Sequence, residues 1–173
     1  MLARRHRLAL MPQGPGDLGM RMRRVAEAAL TRAERVVLIG SDLPTLPPAV
    51  VADGFRALRT ARVVLGPSLD GGYYLLGFRG RPPAIFTRMP WGSERVLGRT
   101  LGRLRAERVR HALLRCWYDV DTPDDLALLV RHLRVLATLG ESPCPRTRRL
   151  LASLTEQRVQ RARRAMKRPA AIP

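Results

Sequence analysis

RVVLIG (Arg35–Gly40), running directly into SDLPTLPP (Ser41–Pro48), is the stretch whose reading decides the fold. Its apolar residues are consecutive and mostly β-branched, the mark of a short strand buried on both faces. The prolines that follow end the strand and open a helix, with Pro47 and Pro48 near its first turn and its end at about Arg59. A second buried run, RVVLG (Arg62–Gly66), comes next, so strand, helix and strand succeed one another.

The same alternation extends in both directions. Upstream, Leu18, Met22, Val25, Ala26, Ala29 and Leu30 share one face of a helix expected from Leu18 to Ala33. Downstream, PSLDGGYYLLGF (Pro67–Phe78) reads as a turn feeding a strand from Tyr73 to Phe78. Ser93 is an expected N-cap for a helix from Glu94 to about Arg105, and VRHALLRC (Val109–Cys116) reads as a further strand. Thr122 is placed to cap the helix PDDLALLVRHLRVLA, and another helix is expected from Arg146 to Ala165 before a frayed KRPAAIP end. This order of elements predicts an α/β sandwich around a mostly parallel sheet. Ligands bind outside the carboxyl ends of the strands in such sheets, which puts the SDLP turn on the functional rim. Residues 1–152 read as one domain and 153–173 as a basic helical or disordered tail.

Composition narrows the class. A chain of 173 residues with 46% hydrophobic residues builds one globular core. No apolar run approaches the roughly 18 residues of a membrane span, and the apolar stretch after MLARRHR is too short for a signal peptide. The expectation is a cytoplasmic protein without a membrane partner. Cys116 and Cys144 have neither metal-ligand spacing nor a disulfide pattern, and His6, His111 and His132 lack partner spacing. The net charge of +18 invites a nucleic-acid reading. Against it, the cations are almost all arginine, Lys167 being the only lysine, and they are scattered along the chain instead of gathered on one element. Aromatic residues are 5% and not interleaved with them, so no specific nucleic-acid partner is expected.

The 14 acidic residues are distributed differently. Asp17, Asp42, Asp70, Asp119, Asp121, Asp124 and Asp125 fall in a few Gly- or Pro-containing segments. Asp42 leaves the end of a rigid strand, a position suited to a hard divalent cation or, equally, to an Asx-type turn. Asp119 and Asp121, two residues apart, project from one side if the backbone is extended there. Asp124 and Asp125 suit the first turn of a helix, where negative charge meets the positive end of the dipole. In LDGGYY, Gly71 and Gly72 let the backbone turn and approach a ligand beside Asp70, or make an ordinary turn between strands. Trp91 and Ser93, in PWGS, can flank an acceptor pocket, and Trp91 suits plain core as well.

These segments carry a resemblance. QGPGDLGMRM, VVLIGSDLPTL, VVLGPSLDGGYYLLG, PWGSERVL and YDVDTPDDL, in this order, resemble the A-type glycosyltransferase-like proteins known as radical-SAM/selenodomain-associated transferases. More distantly they are similar to the molybdenum-cofactor and phospholactate guanylyltransferases. The resemblance covers roughly Leu10 to Leu151 and implies a Rossmann-like nucleotide-diphosphosugar transferase (GT-A) fold. It implies that Asp42 and Asp121, with Asp119, hold Mg²⁺ or Mn²⁺. Gln13, Gly16, Asp17 and Gly19 match a segment bordering the active site, and Gly71, Gly72, Tyr73, Trp91 and Ser93 would line the substrate side, with Asp70 as the base if configuration inverts. Members of that family begin with a strand and a phosphate loop of the form K-x-P-x-x-G-x-x-K-T-R, and nothing like it precedes Leu10. The expectation is therefore an N-terminally truncated chain.

The resulting expectation is a metal-dependent transferase that moves a sugar from a nucleotide-activated donor to a small acceptor. Nucleotidyl transfer with release of pyrophosphate stands as the alternative, and an inactive truncated copy serving as an arginine-rich binding or partner protein as a third.

Overall fold

The computed structural model describes residues 8–154. The chain divides into two compact units, Met1–Asp119 and Val120–Pro173. The first holds helices α1 (Leu18–Leu30), α2 (Pro48–Ala57) and α3 (Val96–Ala106) and strands β1 (Arg35–Ile39), β2 (Val63–Pro67), β3 (Tyr73–Arg79) and β4 (His111–Leu113). The second holds α4 (Pro123–Thr138) and a helical stretch over residues 145–154.

The strands form one sheet in the order β1-β3-β2-β4. β1, β2 and β4 run in one direction, while β3 lies between β1 and β2 and is antiparallel to both. The expected mostly parallel sheet is corrected in this respect. The reason is the connection: only Ser68–Gly72 separate β2 from β3, and a loop that short returns the chain alongside itself, whereas a parallel crossover takes a dozen residues or more. β4 is also shorter than the expected Val109–Cys116, and beyond it a single parallel bridge joins Trp117 to Ser68, the residue after β2.

Alternation along the strands builds a core on each face of the sheet. Val63, Leu65, Leu76 and Phe78 pack with Ala26 of α1 and Leu104 of α3. Val64 and Leu75 pack with Val50 of α2 and with Leu58. The unit is thus a three-layer α/β sandwich, and the consecutive apolar runs follow from burial on both sides.

Local chemistry sets the helix ends. Asp17 caps α1, its Oδ1 accepting from Met20 N–H at 2.8 Å. α2 opens at Pro48, where the missing N–H is harmless. α3 begins at Val96, two residues later than expected, without a side-chain cap; the Ser93 hydroxyl instead donates to the Pro90 carbonyl at 2.8 Å. In the second unit Thr122 caps α4 through a reciprocal capping box with Asp125. The expected continuation of the last helix to Ala165, and all but the first residues of the basic tail, lie outside the described residues, as does His6.

Candidate active site

β1, β2 and β4 deliver their carboxyl ends, and β3 its amino end, to one rim of the first unit. Gly40 N–H donates to Tyr74 O at 3.0 Å, so the SDLP turn leaves β1 beside the start of β3. Asp42 is exposed, and its carboxylate folds back over Gly40, where an added Cβ would stand 2.8 Å from Asp42 Oδ1. Three residues on, buried Thr45 donates its hydroxyl to Tyr118 Oη at 3.3 Å. That bond ties the SDLPT loop to the YD pair, the residue before Asp119. Asp119 is half-buried and its Oδ1 accepts the Ser68 hydroxyl at 2.9 Å. Leu69 N–H donates to Trp117 O in the same place. The rim therefore gathers Asp42, Asp119 and, on the β2–β3 turn, Asp70.

Asp70 is exposed, with Oδ1 held by Gly72 N–H at 2.9 Å. The turn closes through Ser68 N–H to Gly72 O at 3.1 Å and Gly71 N–H to Ser68 O at 3.2 Å. Gly71 is required twice over. Its φ of +86° lies in the left-handed region, and a Cβ there would come within 2.3 to 2.7 Å of the Glu94 backbone. Its carbonyl in turn accepts from Leu97 N–H at 3.0 Å, docking the first turn of α3 onto the DGG turn.

The remaining expected site residues form a second group on the α1 and α3 side. Gly19 is buried against Trp91, whose ring would stand 2.5 Å from a Cβ at that position. Trp91 meets Tyr73 edge to face, with ring centroids 6.5 Å apart. Burial pushes the Tyr73 phenol up to about 12, opposed by the neighbouring Thr100 hydroxyl. The Tyr73 and Thr100 hydroxyls face each other, and neither they nor Trp91 Nε1 makes a hydrogen bond of standard geometry to a described atom. Gln13 and Gly16 are exposed and lie in a loop held by arginines: Arg24 donates to the Gln13 and Pro15 carbonyls, and Arg21 Nε to Gly16 O at 2.9 Å. Ser93 shapes the PWGS turn through its bond to Pro90.

Asp121 is the second residue of the second unit, where its N–H donates to Asp125 Oδ2 at 3.2 Å. Among the described residues no three His, Cys, Asp or Glu side chains cluster as a metal-binding group. Of the three rim carboxylates in the first unit, Asp42 and Asp119 are the two that match expected metal ligands. That donor set fits an ion such as Mg²⁺, which takes one or two carboxylates and fills its remaining positions with water and substrate phosphate. Sequence reasoning missed Ser68, Thr45 and Tyr118. Their only signal is a hydroxyl in an otherwise apolar setting, and burial of Thr45 and Ser68 becomes visible only once the loops are folded together.

Comparison with known proteins is consistent with this architecture. A crystal structure from Desulfovibrio desulfuricans G20, provisionally assigned as a nucleotide-diphospho-sugar transferase, is 38% identical and superposes with a TM-score of 0.61 over 64% of this chain. The chain spans about half of that relative, 49% of its length. The likeness, with the mixed α/β sheet, is that of the Rossmann-like GT-A class of α/β folds. No curated protein matches the chain. No helix among the described residues is long and apolar enough to cross a membrane. The profile of DUF2064, described as an uncharacterized protein conserved in bacteria, matches residues 1–93, and the chain belongs to that family.

Proposed function

We propose that this chain carries the acceptor- and metal-binding side of a cytoplasmic transferase that uses a nucleotide-activated sugar donor and a small acceptor. The observation that carries the reading is the carboxylate rim: Asp42 and Asp119 come from sequence segments far apart, and the Thr45–Tyr118 and Ser68–Asp119 bonds bring those segments to one end of the sheet. The 38% identity to a structure assigned to nucleotide-diphospho-sugar transfer supports the choice of donor. The DGGYYL and DVDTP strings favour, within that class, the radical-SAM/selenodomain-associated group.

Asp42 and Asp119 are the proposed ligands of Mg²⁺ or Mn²⁺, and Asp121 is tested beside them. Bound there, a divalent cation supplies positive charge against the diphosphate that departs from the donor. Ser68 orients Asp119 by occupying one carboxylate oxygen, which leaves the other directed to a ligand. Asp70, exposed and with one oxygen fixed by Gly72 N–H, is the proposed base that takes the acceptor proton. Gly71 and Gly72 hold that carboxylate at the turn.

Calorimetry with Mn²⁺ and uridine or guanosine diphosphate tests the site on wild type and on Asp42→Ala, Asp119→Ala and Asp121→Ala. We expect metal-dependent nucleotide binding that weakens at least about tenfold on loss of a ligand, the order of effect usual for a metal-site residue. Equal binding by wild type and Asp42→Ala removes the metal reading. Product analysis then decides the transferred group, since released nucleoside diphosphate means sugar transfer and pyrophosphate means nucleotidyl transfer.

A further inference from the structure

The opposite end of the same sheet is lined with arginine. Arg35 at the start of β1 stands directly across from Arg79 at the end of β3. Arg79 N–H donates to Arg62 O at 2.9 Å, and Arg62 N–H to Arg110 O at 2.8 Å, just ahead of β2 and β4. One arginine per strand therefore makes an unbroken row across all four strands, in the order Arg35, Arg79, Arg62, Arg110. Arg59 and Arg81, both exposed, flank the row.

Like charges placed directly opposite one another destabilise a sheet, so a row of this kind carries a cost that its own fold does not relieve. Among the described residues the ion pairs use Arg23, Arg56 and Arg115, and none of the six. Three members are instead braced by backbone carbonyls. Arg79 Nη1 donates to Arg59 O at 2.8 Å, Arg62 Nη2 to Arg81 O at 3.3 Å, and Arg110 Nη1 to Thr60 O at 3.4 Å. Each bond uses one donor of the fork and leaves the others available, while the guanidinium has already lost part of its rotamer freedom.

We propose that this row is a docking surface for the phosphate backbone of duplex nucleic acid, bound without sequence preference. Three features point to that occupant. The row crosses three inter-strand gaps, about 14 Å in all, and a duplex presents about eight phosphate charges over that length. On the strands that carry the row, the exposed large hydrophobic residues are Ile39 and Leu113, at the ends of β1 and β4 away from the arginines, so a membrane would find nothing to insert beside the row. Those segments also expose no aromatic ring on which the bases of a single strand could stack. The surface lies roughly 16 Å from the carboxylate rim, the length of a five-residue strand, so an anchored polyanion leaves the candidate active site free.

Fluorescence anisotropy with two unrelated duplexes of about 20 base pairs, titrated at several salt concentrations, tests the proposal on the full chain. The row variant carries Arg35→Gln, Arg59→Gln and Arg81→Gln, none of which removes a bracing bond. The control carries Arg95→Gln, Arg99→Gln and Arg131→Gln, equal in charge and exposed elsewhere. Both duplexes should bind alike, and the row variant should lower the slope of log affinity against log salt by about 2.7, at roughly 0.9 per phosphate contact, while the control stays near wild type. Basic residues beyond Leu154 are common to both variants, so the difference reads Arg35 and the two arginines that flank the row. Equal losses in the two variants, or tighter binding of poly-glutamate or anionic lipid vesicles than of duplex at one salt concentration, overturn the proposal. Should the row variant fail to fold, hydrogen exchange on wild type decides: duplex must protect the amides of residues 59–62 and 79–81, and protection confined to other segments is equally fatal.

Discussion

Gly71 shows how much of the candidate site hangs on single atoms. Its left-handed φ and its contact with the Glu94 backbone both exclude a side chain, and the contact is with backbone that has no rotamer to yield. Gly71→Ala should therefore destabilise the first unit by about 2–4 kcal/mol, adding backbone strain to overpacking. A urea melt reads it directly, and a loss under about 1 kcal/mol would show that the turn relaxes at little cost. Neighbouring Asp70 illustrates a different limit on reading residues one at a time. Its carboxylate helps to close the ordinary turn between strands that one reading of LDGG anticipates, and the same bond fixes it on the rim where chemistry is proposed. The two readings are compatible because a carboxylate has two oxygens.

At the scale of elements, α3 and α4 behave oppositely. α3 contains Gly98 and Gly102, neither with positive φ and neither with any atom within 4 Å of an added Cβ. Nothing in the described structure uses them, and each costs the helix interior about 1 kcal/mol relative to alanine. Gly98→Ala/Gly102→Ala should raise stability by roughly 1–2 kcal/mol, measured by urea denaturation; destabilisation would mean that the face they open is packed against something. α4, by contrast, is well started. The Thr122 hydroxyl, and after it backbone N–H groups, hold the Asp125 carboxyl below the usual aspartate range. Because the folded state lowers this pKa, the cap contributes fully above the unfolded value of roughly 3.9 and is lost as pH falls through the folded one. Helicity of wild type and Asp125→Asn, followed by circular dichroism, should differ near neutrality and converge in acid. A constant difference would place the effect elsewhere.

For the whole molecule, charge is the governing quantity. A net +18 with few ion pairs among the described residues means self-repulsion in the compact state. Raising salt shortens the screening length from about 30 Å at 0.01 M to about 10 Å at 0.1 M, so the melting temperature should climb over that range. A flat or falling melting temperature would show that the repulsion is already relieved within the fold. The same screening weakens the proposed duplex contact, so stability and polyanion binding should move in opposite directions with sodium chloride.

What the amino-acid order determined by itself was local. The apolar runs at Val36–Ile39 and Val63–Leu65, the helical face of α1 and the Thr122 cap were all legible, because period and capping chemistry act over a few neighbouring residues. The carboxylates of the rim were legible as candidates for the same reason, through the segments that hold them. Tertiary structure alone decided that β3 inserts between β1 and β2, that Ser68 grips Asp119, and that arginines scattered at 35, 62, 79 and 110 stand side by side. Strand order and register bring together residues tens of positions apart, and that choice depends on packing both faces of the sheet at once, which no window along the chain contains.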